Sequence, residues 1–153
     1  MHIEQRLADL KIDLPEPVHP MGTYVRYVQT GNLLYISGTG PTDASPKGKV
    51  DTDVSVDEAY AIAREVGLQI IATAKDALGN LDRVKRVVKV LGMVNSSPAF
   101  DQQPRVINGC SDLLVEVFGD AGRHTRSAVG MGALPGSIAV EIECTLEIGD
   151  PAP

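Results

Sequence analysis

RHTRSAVGMGALPGSIAVEIECTLE, residues 123–147, carries the clearest structural pattern in the chain. In its second half, 140–148, apolar residues alternate with acidic ones and a threonine. Because successive strand side chains point to opposite faces of a sheet, this pattern predicts a half-buried strand with an acidic outer face. Residues 126–131 form a second extended run, and Leu134-Pro135-Gly136-Ser137 between the runs has turn composition. We therefore expect a C-terminal β-hairpin that brings Arg126 close to a carboxylate of the second strand.

An arginine beside a carboxylate has a specific chemical use. The guanidinium is a planar, permanently charged fork that binds a carboxylate through two parallel hydrogen bonds. Arg126 at the rim of the expected hairpin therefore suits recognition of a small carboxylic acid. The competing interpretation is a surface arginine beside a row of solvated glutamates.

The rest of the chain predicts a mixed α and β order. The motif Ser55-Val56-Asp57-Glu58 is a capping box at the start of the longest helix, and Gly79-Asn80 is its stop signal. The order α, ββ, α, β, α, ββ predicts a mixed sheet with two long helices on one face. The elements expected before residue 123 are a helix at 2–11, strands at 24–29 and 33–38, a helix at 56–78, a strand at 86–94 and a helix at 102–118.

Length and composition exclude several classes of protein. The chain has 153 residues, which suits a single domain 1–153. Its formal charge of −6 disfavours nucleic acid as a partner, because binding a polyanion normally requires a basic face. No basic-then-apolar leader and no apolar run of membrane-spanning length is visible, so we expect a cytoplasmic protein that does not bind a membrane.

Cysteine and histidine positions predict neither disulfides nor a metal site. Cys110 and Cys144 fall at apolar positions of a predicted helix and strand, so buried free thiols are expected. His2, His19 and His124 are scattered without metal-ligand spacing. His124 is expected to lie on a loop surface or in a contact between subunits. We expect no metal site.

An ordered set of short motifs resembles the YjgF/RidA family, also called the L-PSP endoribonuclease family. The resemblance covers about residues 20–148 and is closest to the longer branch named chorismate mutase-like for its fold. The motifs are Gly22-Thr23-Tyr24-Val25, Ser37-Gly38-Thr39-Gly40-Pro41, Phe100 and Asn108, Arg126-Ser127-Ala128-Val129, Leu134-Pro135 and Val140-Glu141-Ile142-Glu143.

The resemblance implies an α+β protein with the chorismate mutase-like fold of the bacillus type. In that fold a six-stranded mixed sheet is packed on one face by two long helices. Here 20–148 would form this core, while 1–19 would add a short N-terminal helix and a connector. The resemblance also implies a homotrimer with three pockets between subunits.

The best-understood members of the family are reactive-intermediate deaminases. They hydrolyse 2-imino (enamine) acids to 2-keto acids and ammonia without metal or cofactor. Matched residue by residue, Arg126 would grip the substrate carboxylate, Tyr24 would close the pocket and Glu141 would position the water. Gly38 would line the pocket, and Asn108 matches a family asparagine only with a shift.

Several positions depart from the family pattern and leave other functions open. Ala128 stands where cysteine is usual, Thr39 where many deaminases have glutamine, and Gly130-Met131-Gly132 replaces bulkier residues. These changes would reshape the substrate-binding wall that Thr39 and Ala128 form. The alternative is therefore a non-catalytic protein that binds or senses a small carboxylate such as a keto acid. Endoribonuclease activity ranks third, since the chain is acidic and only 4% aromatic.

Overall fold

A computed structural model describes residues 2–150 as an α+β fold with one mixed sheet. Over this range the sheet has five strands and three α-helices accompany it. In chain order the elements are α1 (Ile3–Asp9), β1 (Tyr27–Thr30), β2 (Leu33–Thr39), α2 (Val56–Leu78), β3 (Val84–Asn95), α3 (Gln103–Phe118), β4 (Thr125–Met131) and β5 (Val140–Ile148).

The sheet has the strand order β1-β2-β5-β3-β4, so β1 and β4 are its edges. The first hairpin forms as predicted: Thr30 lies opposite Leu33, and the two-residue turn Gly31-Asn32 joins the strands. Gly31 has φ of +57°, a conformation that glycine adopts without steric cost. Only β3 and β4 are parallel, whereas the other neighbouring strands are antiparallel.

The predicted C-terminal hairpin is wrong. β4 pairs with β3, and β5 lies on the other side of β3. The connection between β3 and β4 contains helix α3, and such a crossover allows two strands to run parallel. Residues 132–139 then pass over the end of β3, where the Asn95 amide donates to the Ala139 carbonyl at 2.9 Å. Arg126 is consequently two strands away from the carboxylates of β5.

The six strands expected from the family resemblance are also not found. Over residues 2–150 the sheet contains five strands. Upstream of β1 the chain forms helix α1 and then a connector without strand structure. This connector contains Pro15, Pro17 and Pro20, which have no amide hydrogen for a strand ladder. The count of five agrees with the number of strand-like segments in the sequence.

Helices α2 and α3 pack together over one face of the sheet. Helix α2 begins with the predicted capping box, in which Ser55 and Glu58 each bind the other's backbone amide, and ends at Gly79. The two helices approach closely at Gly109, where an added Cβ would lie 2.0 Å from the Tyr60 carbonyl oxygen. Their buried side chains cover the valines of β3 and the apolar residues of β5.

The short N-terminal helix α1 is joined to this body by specific contacts. Ile3 and Leu7 are buried in the common core. The Asp82 carboxylate accepts the backbone amides of Ile3 and Glu4 at 2.6 and 3.1 Å, which caps the N-terminus of α1. The Glu4 carboxylate binds Lys75 of α2 at 3.0 Å.

Two further expectations concern cysteines and membrane segments. Cys110 and Cys144 are buried and form no disulfide, as predicted. Burial raises the pKa of the Cys110 thiol to about 12, so the thiol stays protonated at neutral pH. Among the helices of residues 2–150, none is long and apolar enough to cross a membrane.

Candidate functional site

Arg126 lies on edge strand β4 with its side chain half-buried against helix α3. Arg126 lies opposite Val90 of β3, which is buried under the helices. Because residues opposite each other on neighbouring strands project to the same face, Arg126 points to the face that the helices cover. The Arg126 Nη1 donates to Asn108 Oδ1 at 2.7 Å and to Ser111 Oγ at 3.0 Å. The structure thus brings two of the predicted site residues, Arg126 and Asn108, into contact.

His124 extends this network in one defined tautomer. Its Nδ1 lies 2.6 Å from the Gly122 carbonyl oxygen, which only accepts hydrogen bonds, so Nδ1 carries the hydrogen. Its Nε2 lies 2.9 Å from Ser111 Oγ and therefore accepts the serine hydroxyl. Burial and the charge of Arg126 lower the pKa of His124, against the opposing effect of the Gly122 hydrogen bond. His124 is consequently neutral near pH 7.

Sequence reasoning missed Ser111 and placed His124 on a loop surface or in a subunit contact. The helical spacing of Asn108 and Ser111, three residues apart, puts both side chains on one side of α3. That spacing alone does not reveal that β4 passes beside them. Arg123, one residue before His124, instead points outward and lies 3.6 Å from Asp120.

A second cluster of predicted residues forms where β2 approaches β5. β2 has a bulge between Ile36 and Thr39, because three steps along β2 correspond to two along β5. Gly38 lies in this bulge, and a Cβ added there would meet Glu141 Oε2 at 2.7 Å. The absence of a side chain at Gly38 therefore leaves the space that the Glu141 carboxylate occupies.

The Glu141 carboxylate is partly withdrawn from water on the sheet face opposite the helices. Burial, followed by the charge of Glu143, raises the pKa of Glu141, while the charge of Arg26 opposes this rise. A carboxylate with a raised pKa is a better proton acceptor near neutral pH than a fully solvated one. Glu141 is therefore a candidate general base.

The other predicted pocket residues have different surroundings. Thr39 is buried, and its hydroxyl accepts from Arg26 Nη2 at 2.6 Å and donates to the Ser37 carbonyl at 2.9 Å. Ala128 lies two residues after Arg126 on the same face of β4 and is half-buried. Tyr24 is exposed before β1, and its hydroxyl accepts from the Met21 amide at 3.3 Å.

Within one chain these residues form two separate groups. The first, at the β4 edge, contains Arg126 and Asn108. The second contains Gly38 and Glu141 on β2 and β5, with Tyr24 next to the opposite edge strand β1. Four inter-strand spacings of about 4.8 Å place the two edges roughly 19 Å apart. Arg126 and Glu141 also lie on opposite faces of the sheet, so one chain does not bring them together.

The described residues offer no metal centre of the usual kind. Among residues 2–150, no three His, Cys, Asp or Glu side chains are grouped closely enough to hold a metal ion. The polar groups at the candidate site are instead a guanidinium, an amide, a hydroxyl, an imidazole and a carboxylate. Such a set can bind a small anion and transfer protons.

Comparison with known proteins identifies the family. Residues 4–140 match the family described as "YjgF/chorismate mutase-like, putative endoribonuclease". The chain belongs to this YjgF/RidA family. It is 42% identical over 152 residues to Protein TCP17 of Trypanosoma cruzi, a match that covers 97% of this chain and 95% of that protein.

Solved structures of similar proteins have the same fold. The protein Atu1372 from Agrobacterium tumefaciens, described as having unknown function, is 42% identical with a TM-score of 0.87, over 96% of this chain and 92% of that one. RidA from an Antarctic Psychrobacter species is 29% identical with a TM-score of 0.60, over 87% of this chain and 94% of that one. This chain is thus structurally much closer to Atu1372 than to that RidA.

Proposed function

We propose that this protein is a cofactor-free deaminase that hydrolyses reactive 2-imino or enamine acids to 2-keto acids and ammonia. The active sites would lie between the subunits of a homotrimer. One observation carries the proposal: Arg126 lies on an edge strand, and one side of its guanidinium is fixed by Asn108 and Ser111 while the other side has no hydrogen-bond partner among residues 2–150. Membership of the YjgF/RidA family and similarity to a protein named RidA support it.

Arg126 would bind the carboxylate of the substrate. Its Nη1 is fixed by Asn108 and Ser111, while no hydrogen bond within residues 2–150 involves Nε or Nη2. These two nitrogens form one edge of the guanidinium, and that edge matches the spacing of two carboxylate oxygens. The protein contacts therefore orient the arginine and leave a bidentate carboxylate site.

Glu141 would position and deprotonate the attacking water. The water oxygen adds to the imine carbon as its proton passes to Glu141, and the imine nitrogen takes up a proton to become an amine. The hydroxyl of this intermediate then gives up its proton and the amine takes one up, so that the carbon–nitrogen bond breaks, ammonia leaves and the carbonyl of the 2-keto acid forms. The raised pKa of Glu141 suits this proton transfer. Holding carboxylate and water in one geometry would account for much of the rate.

A second copy of the chain would complete the site. Arg126 lies on edge strand β4, Tyr24 precedes the opposite edge strand β1, and Glu141 on the central strand β5 lies on the sheet face opposite Arg126. Arg126 from one subunit would therefore face Glu141 from its neighbour. Apolar side chains that point away from the helices are unusually exposed: Val28 is 51%, Tyr35 46% and Val129 39% accessible. Covering this apolar sheet face would favour association. A trimer is the assembly expected for the family.

Non-catalytic binding of a small carboxylate is the second candidate function, and one observation favours it. The Thr39 hydroxyl is committed to Arg26 and the Ser37 carbonyl. Thr39 therefore does not offer the substrate the polar group that glutamine gives at this position in many deaminases. Endoribonuclease activity, which the family description includes, ranks third because the chain has a net charge of −6 and is 4% aromatic.

The test is keto-acid and ammonia release from 2-aminoacrylate and its four-carbon homologue, both generated in situ. We expect wild type to accelerate hydrolysis and Arg126→Ala to lose this activity while remaining folded and trimeric. Arg123→Ala is the matched control, because the Arg123 side chain is exposed and forms a surface ion pair with Asp120 at 3.6 Å. That variant should retain wild-type activity.

Two outcomes would contradict the proposal. If neither wild type nor Arg126→Ala accelerates hydrolysis although both are trimeric, the deaminase is excluded. Stabilisation of wild type alone by keto acids in thermal unfolding would then support the binding function. A monodisperse monomer at micromolar concentration would remove the shared pocket on which both functions depend.

A further inference from the structure

Arg26 is a buried arginine that sequence reasoning did not single out. It precedes β1 and is only 8% exposed. Its Nη1 donates to the Gly38 carbonyl at 3.1 Å, and its Nη2 donates to Thr39 Oγ1 at 2.6 Å. The guanidinium therefore binds Gly38, which lies in the β2 bulge against Glu141, and Thr39, which follows the bulge.

The charge of Arg26 is not neutralised by an ion pair. None of the ion pairs among residues 2–150 includes Arg26, and its buried Nε has no hydrogen-bond partner in that range. Keeping an unpaired guanidinium away from water costs free energy, so this arrangement needs a reason beyond packing. Two charged groups act on the Glu141 carboxylate: Glu143 from β5 repels it, and Arg26 attracts it.

Backbone contacts add to this connection. The Ser37 amide donates to the Arg26 carbonyl at 2.9 Å, and the Ser37 hydroxyl donates to the Val25 carbonyl at 2.6 Å. With the two side-chain bonds of Arg26, four hydrogen bonds join residues 25–26 to residues 37–39. Tyr24 immediately precedes this joined segment, so the same contacts fix the start of the loop that carries Tyr24.

We propose that Arg26 is a positioning residue for the hydrolysis, which holds Gly38 and Thr39 of β2 in place beside Glu141. Its positive charge also attracts the Glu141 carboxylate. This inference rests on the proposed function and adds a residue to it. It also assigns a role to the buried Thr39 hydroxyl. The threonine hydroxyl is the acceptor that orients the Arg26 guanidinium, and it takes no part in contacting the substrate.

The first test measures the Glu141 carboxyl directly and needs no activity. The pKa of Glu141 is followed by carbon-13 NMR of the side-chain carboxyl in wild type, Arg26→Gln and Arg26→Lys, with Glu141→Gln used to assign the signal. In Arg26→Gln we expect the pKa of Glu141 to rise, because an attracting charge is removed. Arg26→Lys keeps a charge and should show a smaller rise. Arg105→Gln, which removes an exposed arginine on helix α3, should leave the pKa of Glu141 unchanged.

The second test separates geometry from charge and applies even if Arg26→Gln fails to fold. Thr39→Val keeps the side-chain shape but removes the acceptor of Arg26 Nη2, so exchange of the Arg26 Nη2 hydrogens should become at least about tenfold faster than in wild type. In deamination, the acidic limb of the pH profile of kcat/KM should move to higher pH in Arg26→Gln. Arg26→Lys should recover the position of this limb but not the full kcat.

These readouts distinguish the two proposals. If wild type shows no deamination, the NMR and exchange measurements still test Arg26. An unchanged pKa of Glu141 in folded Arg26→Gln, or unchanged exchange in Thr39→Val, would overturn the positioning role. Equal loss of kcat in Arg26→Gln and Arg26→Lys without movement of the acidic limb would show that Arg26 acts through fold stability only.

Discussion

Replacing Gly38 by alanine is the most direct test of how the fold positions Glu141. The added Cβ would lie 2.7 Å from Glu141 Oε2 and 3.2 Å from Glu141 Cδ. Ordinary contacts of this kind are about 3.4 Å or longer, so the carboxylate must move by roughly 0.7 Å. Gly38 does not have positive φ, so alanine fits its backbone without strain.

The displacement predicts a large effect on activity and a small effect on stability. A misplacement of about 1 Å costs on the order of a hundredfold in rate, so Gly38→Ala should lower kcat/KM by about 10- to 100-fold. That range corresponds to about 1.4–2.7 kcal/mol of transition-state stabilisation. Moving the flexible end of Glu141 costs about 1 kcal/mol. Alanine in a strand regains about 0.5–1 kcal/mol, so the free energy of unfolding should change by less than about 1 kcal/mol.

The assay combines keto-acid release with urea unfolding of the same preparations. Gly132→Ala is the matched control, since an added Cβ there meets nothing within 4 Å and Gly132 also lacks positive φ. It should leave the free energy of unfolding at the wild-type level. Full kcat/KM in trimeric Gly38→Ala would refute the reasoning, because Glu141 would then not need the position that Gly38 allows. A loss of stability above about 2 kcal/mol would show instead that the carboxylate cannot move aside.

Three further predictions address pH dependence and packing. The folded chain keeps the pKa of His124 below its unfolded value, so protonation favours the unfolded state and wild-type stability should fall as the pH drops below about 6.5. His124→Gln should lose this part of the pH dependence, measured by thermal unfolding from pH 7.5 to 5.0. The same dependence of stability on pH in wild type and His124→Gln would contradict this role of His124. Gly109→Ala would place a Cβ 2.0 Å from the Tyr60 carbonyl oxygen. It should lower the free energy of unfolding by about 2–3 kcal/mol, measured by urea unfolding. An unchanged value would mean that helices α2 and α3 separate readily. Ser55→Ala removes half of the capping box and should cost about 1 kcal/mol in the same measurement, and an unchanged free energy of unfolding would contradict this.

Local sequence patterns predicted most of the secondary structure, because these patterns depend on neighbouring residues. The capping box at Ser55 and the glycine after each long helix define α2 and α3 to within one residue. The alternation of apolar and polar residues over 140–148 predicted β5, and the turn residues Gly31-Asn32 predicted the first hairpin. The pairing of β4 was mispredicted, since turn composition at 134–137 is compatible with several partners. The choice of β3 depends on helix α3, which carries the chain across the sheet.

The candidate site was predicted in part. The family motifs identified Arg126, Asn108, Gly38 and Glu141, and the structure places them in two contacting pairs. Their catalytic roles stay predictions until activity is measured.

Arg26, Ser111 and His124 were missed because each becomes informative only through a distant contact. A lone arginine or histidine in the sequence carries no sign of the bulge, helix or strand against which it will be buried.

The sequence by itself determined which segments are helices and strands, the family, and the chemical types of the site residues. Periodicity, capping and turn composition act over a few residues, and the motif order is readable along the chain. Only the tertiary structure decided that β3 separates β4 from β5, that Arg26 reaches Gly38 and Thr39, and that Arg126 and Glu141 occupy opposite faces. The physical reason is that strand pairing and side-chain burial depend on which distant segments share the core, and local sequence does not encode that choice.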